Sequence, residues 1–255
     1  MDPAARPEEP PRGVDLYRPE GPGPFPVLVF VPGGAWRHDG RRAFPGVPAN
    51  VGEAVARRGW IVAVPGHRLA PAATYADEAA DVARAVAWVG EQATALRADP
   101  RRLVLGGHSS GAHLAALVAL ERAWLEAAGV PEEHRPRGVI ALSGAFDLPE
   151  LARTDPRLVE VFRPAFGVDR SRWVAASPLQ HVRPGAPPFL VVVGDGEAEP
   201  ARVDSARMVE ALRLHGDEAR LFVAPGRDHE EVVVEFGSPG DPIEGEVLRF
   251  LEGVR

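Results

Sequence analysis

The stretch from Val104 to Leu117, Val-Leu-Gly-Gly-His-Ser-Ser-Gly-Ala-His-Leu-Ala-Ala-Leu, leaves the chain little freedom in how it folds. An apolar β-branched run from Arg102 to Leu105 stops at two glycines, serine follows, and an Ala/Leu run of helical period begins at once. Within it Gly107-His108-Ser109-Ser110-Gly111 fits Gly-x-Ser-x-Gly, a strand-turn-helix elbow in which small flanking residues let the chain turn sharply and hold a strained serine at the strand tip. Ser109 lies between the flanking glycines and is the candidate nucleophile, which leaves Ser110 to offer its backbone N–H. The helix after the serine aims N–H groups and the positive end of its dipole at the same spot, where charge on a reacting oxygen would need them. Gly/Ser clusters usually mark plain turns. The strand before and the helix after this one carry the catalytic reading.

Composition bounds what such an elbow can belong to. At 255 residues, 45% hydrophobic and 25% charged, the chain is long enough for one α/β domain with a substantial core. A formal net charge of −7 argues against nucleic-acid and anionic membrane surfaces. Cysteine and lysine are both absent, so disulfides, thiol nucleophiles, thiolate metal sites and lysine Schiff bases are excluded. The proline-rich and charged residues 1–13 read as a loose tail, with 14–255 as a single domain. That tail lacks the basic and apolar regions of a signal peptide, and no later apolar run reaches the ~18 residues of a membrane span. A cytoplasmic protein, monomer or homodimer, is the simplest expectation.

Along the chain, apolar runs at 26–31, 60–64, 102–105, 138–142, 188–193 and 219–224 read as strands, after an outer strand at 14–18. Helical patterns at 47–58, 75–91, 201–215 and 243–251 lie between or after them, with 41–48 as loop and Asp99-Pro100 as a break before the elbow strand. That alternation means a mostly parallel, twisted sheet with helices on both faces. Residues 148–177 have no β pattern and read as a short, cap-like helical excursion near the active-site end. Its Phe162, Phe166 and Trp173 are candidate pocket residues, together with His108 and with Trp36 as a wall under its own loop. The run at 26–31 ends in Pro32-Gly-Gly-Ala-Trp36, and an early glycine loop paired with a later Gly-x-Ser-x-Gly is the arrangement that builds an oxyanion hole. Gly34, Ala35 and Ser110 are its candidate backbone donors.

A serine hydroxyl needs a histidine to take its proton and a carboxylate to orient that histidine. In this architecture they come in the order serine, acid, histidine, each at the carboxyl end of its own strand. Of eight histidines only His229 sits in a loop directly after a late strand, in Pro225-Gly-Arg-Asp-His229. The acid comes from Gly194-Asp-Gly-Glu-Ala-Glu-Pro200, where Asp195 is nearer the strand, Glu197 has more reach and Glu199 stands third. Spacing alone leaves that choice open. Asp228 reads as a surface charge. The histidines are too scattered for a metal site, so no metal or cofactor is expected.

Gly-His-Ser-Ser-Gly-Ala-His-Leu-Ala (107–115), Pro-Gly-Gly-Ala-Trp-Arg (32–37), Leu-Ser-Gly-Ala-Phe-Asp-Leu (142–148), Ser-Pro-Leu (177–179) and Pro-Gly-Arg-Asp-His (225–229) together resemble one branch of the α/β-hydrolase superfamily. It holds small carboxylesterases, feruloyl/acetyl-esterase-like enzymes and kynurenine formamidase. The resemblance covers nearly all of 14–253 and implies the α/β-hydrolase fold and a small-molecule ester as substrate. It also implies that the acid stands three residues after the strand-end glycine, which is Glu197, with Asp195 second. An aryl formamide is the alternative substrate, and a non-catalytic ligand-binding version of the fold is the rival from another class. Pro32 departs from the pattern, because such loops usually begin His-Gly-Gly.

Overall fold

A computed structural model describes residues 13–43 and 46–254. Most of the 1–13 tail therefore lies outside the described residues. Seven strands, β1 (Val14–Tyr17), β2 (Phe25–Val31), β3 (Ile61–Pro65), β4 (Ala98–His108), β5 (Gly138–Leu142), β6 (Phe189–Gly194) and β7 (Ala219–Ala224), form one sheet in the order β1-β3-β2-β4-β5-β6-β7. β1 is antiparallel to β3 and every other pairing is parallel. The expected doubly covered, mostly parallel sheet is what the chain forms.

Period-two alternation distributes the core between the two faces. Val27, Val29 and Val31 of β2 pack with the helices Tyr75–Glu91 and Ser110–Leu120. Leu28 and Phe30 pack on the other side with Gly46–Ala56 and Pro242–Gly253. Strands so enclosed need apolar residues on both faces, which is why they read as continuous runs.

Two local expectations are corrected. Asp99-Pro100 does not break the chain before β4, because the strand begins at Ala98. The ladder with β2 runs from Phe25↔Ala98 directly to Val27↔Leu103, so Pro100 sits in a bulge where its missing N–H costs no ladder bond. The supposed loop 41–48 contains the helical turn Gly40–Ala43 and the start of Gly46–Ala56, whose first turn accommodates Pro48. The excursion at 148–177 holds three short helices, Leu148–Thr154, Leu158–Phe166 and Arg170–Ala176.

Strand order gathers the exit loops at one edge of the sheet. From β2 the chain crosses to β3 on one side, then returns to β4 on the other, so the carboxyl ends of β2 and β4 flank a crevice where the winding reverses. Val31 pairs with Gly107 across that point, which brings the loop after β2 against the turn after β4. β5, β6 and β7 then deliver their exit loops to the same edge in sequence order.

Candidate active site

Ser109 occupies the turn between β4 and the helix Ser110–Leu120 with φ 54° and ψ −122°, a conformation that a non-glycine residue keeps only when its surroundings impose it. Those surroundings are tight. Its N–H donates to the Leu142 carbonyl at 2.9 Å, and its own carbonyl accepts from His113 N–H to start the helix. A Cβ on Gly111 would lie 2.0 Å from the Val31 carbonyl oxygen, so glycine there is required by close backbone approach.

His229 Nε2 lies 2.9 Å from Ser109 Oγ, and His229 Nδ1 lies 3.0 Å from Glu197 Oε2. Since the carboxylate only accepts, Nδ1 carries the proton and Nε2 presents its lone pair to the hydroxyl. The other Glu197 oxygen accepts from Ser143 Oγ at 2.6 Å and from Gly194 N–H at 2.9 Å. Burial pushes the Glu197 carboxyl up, but the bonds from His229, Ser143 and Gly194 outweigh it and hold the group below its ordinary value. For His229 burial acts downward, and the bond to Glu197 with the charges of Glu197, Glu230 and Asp228 raises the imidazole above its ordinary value.

The loop after β2 covers the serine. A Cβ on Gly33 would lie 2.9 Å from His108 Nδ1 and 3.0 Å from Ser109 Cβ, so a side chain there would push the loop and the elbow apart. Gly34, Ala35 and Trp36 all have positive φ. The N–H groups of Gly34, Ala35 and Ser110 have no hydrogen-bond acceptor among the described residues, and all three residues line the same cavity as Ser109. Without the histidine of the resembled pattern at position 32, the loop is fixed by other bonds. Gly34 O accepts from Arg37 and His38 N–H, Trp36 O accepts from Ala70 N–H, and Trp36 Nε1 donates to His113 Nδ1 at 3.2 Å. An indole only donates, so His113 is protonated at Nε2, which donates to the Ala176 carbonyl at 2.9 Å. Burial drives His113 down to about 4, which keeps it the neutral bridge that this geometry needs.

The cavity encloses about 620 Å³ and is bounded by the glycine loop, the elbow, Leu151, Leu158, Val161 and Phe162 of the excursion, and the exit loops of β6 and β7. Trp36 and His108 line it. His108 Nε2 donates to the His229 carbonyl at 2.8 Å, and burial and the neighbouring His229 drive it down to about 4. Phe166 and Trp173 do not reach the cavity, which corrects their assignment as pocket residues. Both are 1% exposed. Phe166 meets Trp36 edge-on at 5.0 Å, and Trp173 meets Phe162 edge-on at 5.5 Å, so they form the packed layer behind the wall.

The remaining carboxylates are engaged elsewhere. Asp195 Oδ1 accepts from Gly226 N–H at 2.7 Å, stapling the β6 exit to the β7 exit, while the partner of His229 Nδ1 is Glu197. Glu199 opens the helix Glu199–Leu214, and Asp228 Oδ1 accepts from the N–H groups of Glu230 and Glu231. Ser143 had no sequence signal beyond its place in Leu142-Ser-Gly-Ala, yet it combines φ 51°, burial and the shortest bond to Glu197. Among the described residues no group of three or more His, Asp or Glu is arranged to hold a metal ion, and no helix is long and apolar enough to cross a membrane.

Comparison with known proteins places this arrangement in a lineage. The chain is similar to the esterase LipQ of Mycobacterium tuberculosis, 34% identical over 202 residues that cover 75% of this chain and 46% of LipQ. It is similar also to LipC of the same organism, 31% identical over 252 residues that cover 91% of this chain and 59% of LipC. The chain thus spans about half the length of these relatives. Among solved structures, the apo form of Thermogutta terrifontis esterase 2 superposes with a TM-score of 0.69 at 23% identity, covering 94% of this chain and 85% of that one. The sheet and its helical layers are thus an α/β-hydrolase fold. The BD-FAE family model matches residues 14–212, a span that holds the glycine loop, the elbow, Ser143 and Glu197, and the chain belongs to the BD-FAE family.

Proposed function

We propose that the protein is a serine hydrolase of small or short-acyl carboxylic esters, working through an acyl-enzyme on Ser109. The observation that carries this reading is the unbroken line Ser109 Oγ, His229 Nε2, His229 Nδ1, Glu197 Oε2, with steps of 2.9 and 3.0 Å at its two hydrogen bonds. The esterase names of the relatives support it.

In this mechanism Ser109 Oγ attacks the ester carbonyl carbon while His229 Nε2 takes the hydroxyl proton, and Glu197 stabilises the imidazolium that forms. The carbonyl oxygen becomes an oxyanion held by the otherwise unengaged N–H groups of Gly34, Ala35 and Ser110. Collapse breaks the bond to the alcohol oxygen, which receives the proton from His229, and the acyl group stays on Ser109. Water then gives a proton to His229 and its oxygen to the acyl carbon, releasing the carboxylic acid and restoring the hydroxyl. Each donor in such a hole contributes about 3–4 kcal/mol to transition-state stabilisation.

The test is hydrolysis of p-nitrophenyl acetate by the parent and by Ser109→Ala. The parent gives a burst of p-nitrophenol and then steady turnover, and the variant falls to the uncatalysed background. Equal rates in the two would overturn the proposal.

A further inference from the structure

The carboxylates that line the cavity outnumber the guanidinium groups beside it. The chain has no lysine and 29 arginines, and among the described residues no arginine lines the cavity, whereas Asp155, Glu197, Asp228 and Glu230 do. Two of these are engaged in place, Asp155 by a guanidinium and Glu197 by hydrogen bonds. Arg157 donates Nε and Nη2 to the two Asp155 oxygens at 2.8 Å each, and Glu197 accepts from His229, Ser143 and Gly194. Asp228 accepts only backbone N–H groups through Oδ1, and neither Asp228 nor Glu230 forms an ion pair among the described residues. Both adjoin His229 in the chain and both reach the cavity wall.

Their side of the cavity is set by the chemistry. His229 must hand its proton to the departing alcohol oxygen, so the alcohol arm of a bound ester lies on the His229 side. An ammonium group on that arm meets two carboxylates that lack a counter-ion, in a cleft whose apolar walls concentrate their field. A carboxylate or sulfonate there is repelled by the same two exposed carboxylates.

We propose that the site selects esters by the charge of their alcohol arm, favouring amino-alcohol and quaternary-ammonium esters over neutral ones and rejecting anionic ones, with Asp228 and Glu230 as the discriminating residues. The inference rests on the ester-hydrolase reading of Ser109.

The experiment compares kcat/KM for three acetate esters of similar shape: acetylcholine, its uncharged isostere 3,3-dimethylbutyl acetate, and anionic 3-acetoxypropane-1-sulfonate. At low ionic strength the choline ester is expected to exceed the neutral isostere about 10-fold, with the sulfonate about 10-fold below it. In about 0.5 M sodium chloride, where screening acts within a few ångströms, the spread narrows to about 2-fold. Glu230→Gln, whose carboxylate holds no part of the fold, lowers the cation-to-neutral ratio about 3-fold. Asp228→Asn with Glu230→Gln brings that ratio near one, whatever happens to absolute rates. A parent ratio near one at low salt, or a ratio unmoved by both variants, overturns the inference. If those results come with turnover that depends on Ser109, the hydrolase reading survives without it. If Ser109→Ala matches the parent on the neutral ester, the hydrolase reading fails and takes this inference with it.

Discussion

Ser143→Ala removes the hydroxyl that donates to Glu197 Oε1 at 2.6 Å and leaves that oxygen with the Gly194 N–H alone. A buried hydrogen bond to a charged acceptor contributes about 1.5–3 kcal/mol, and the variant should lose about that much stability. The catalytic loss arises because the carboxylate can then rotate, and His229 Nδ1 depends on Oε2 staying 3.0 Å away as the imidazole becomes charged. A loosened orienting group of this kind should cost about 1.4–2.8 kcal/mol at the transition state, which is about 10- to 100-fold in kcat/KM. Ser143→Gly separates the hydroxyl from the backbone. Position 143 has φ 51°, so glycine relieves left-handed strain that alanine retains, and the glycine variant should be about 1 kcal/mol more stable than the alanine variant. Both should be equally slow. Urea unfolding gives the stabilities and p-nitrophenyl acetate hydrolysis gives the rates. Parental activity in Ser143→Ala, or recovery of activity in Ser143→Gly, would refute the reasoning, since strain and not the hydroxyl would then be at work.

Other consequences can be measured on the same preparations. As the proposed general base, His229 must be neutral to act, so kcat/KM should fall below a pKa lying above the ordinary histidine value, and Glu197→Gln should move that acid limb to lower pH because the charge that raises His229 is gone. Buried Glu78, 3.4 Å from His67 Nδ1, is pushed up to about 9 by burial and by the charges of Asp81 and Asp77. Its folded pKa lies above the unfolded one, so the native state holds an extra proton between the two, and stability is fully present below about pH 4.5 and declines as pH rises toward 9 by at most about 1.4 kcal/mol per unit. In Glu78→Gln the urea midpoint should depend less on pH between about 6 and 9. Gly111→Ala drives a methyl to 2.0 Å from the Val31 carbonyl oxygen and should abolish soluble folded protein, read by circular dichroism. Phe162→Ala opens the wall between the cavity and the layer of Phe166 and Trp173, shifting the optimum in an acyl-length series toward longer chains.

What the amino-acid order discloses depends on how local the determining physics is. The parallel sheet was legible because strands covered on both faces must be apolar throughout, and because each run leads into a helix or an excursion. The strand-turn-helix elbow that carries Ser109 was legible because it is built from five consecutive residues. The choice between Asp195 and Glu197 was open because both sit in one turn, and what separates them is an amide 31 residues away at Gly226 that occupies Asp195. Ser143 escaped notice for a similar reason, since its partner is 54 residues distant. Phe162 and Phe166 share a helix face at i, i+4 and both meet the Trp36 ring, and sequence spacing cannot tell which one also reaches the cavity. Pro100 misled because proline stops a regular ladder, while a bulge tolerates it.

The most direct test of the central claim is stoichiometric labelling with a fluorophosphonate, with the modified residue then mapped by peptide mass spectrometry. One equivalent of phosphonyl group should appear on Ser109 in the parent, more slowly in Glu197→Gln and hardly at all in His229→Ala. Label on Ser110, on Ser143 or on no serine, in protein shown to be folded, would contradict the account.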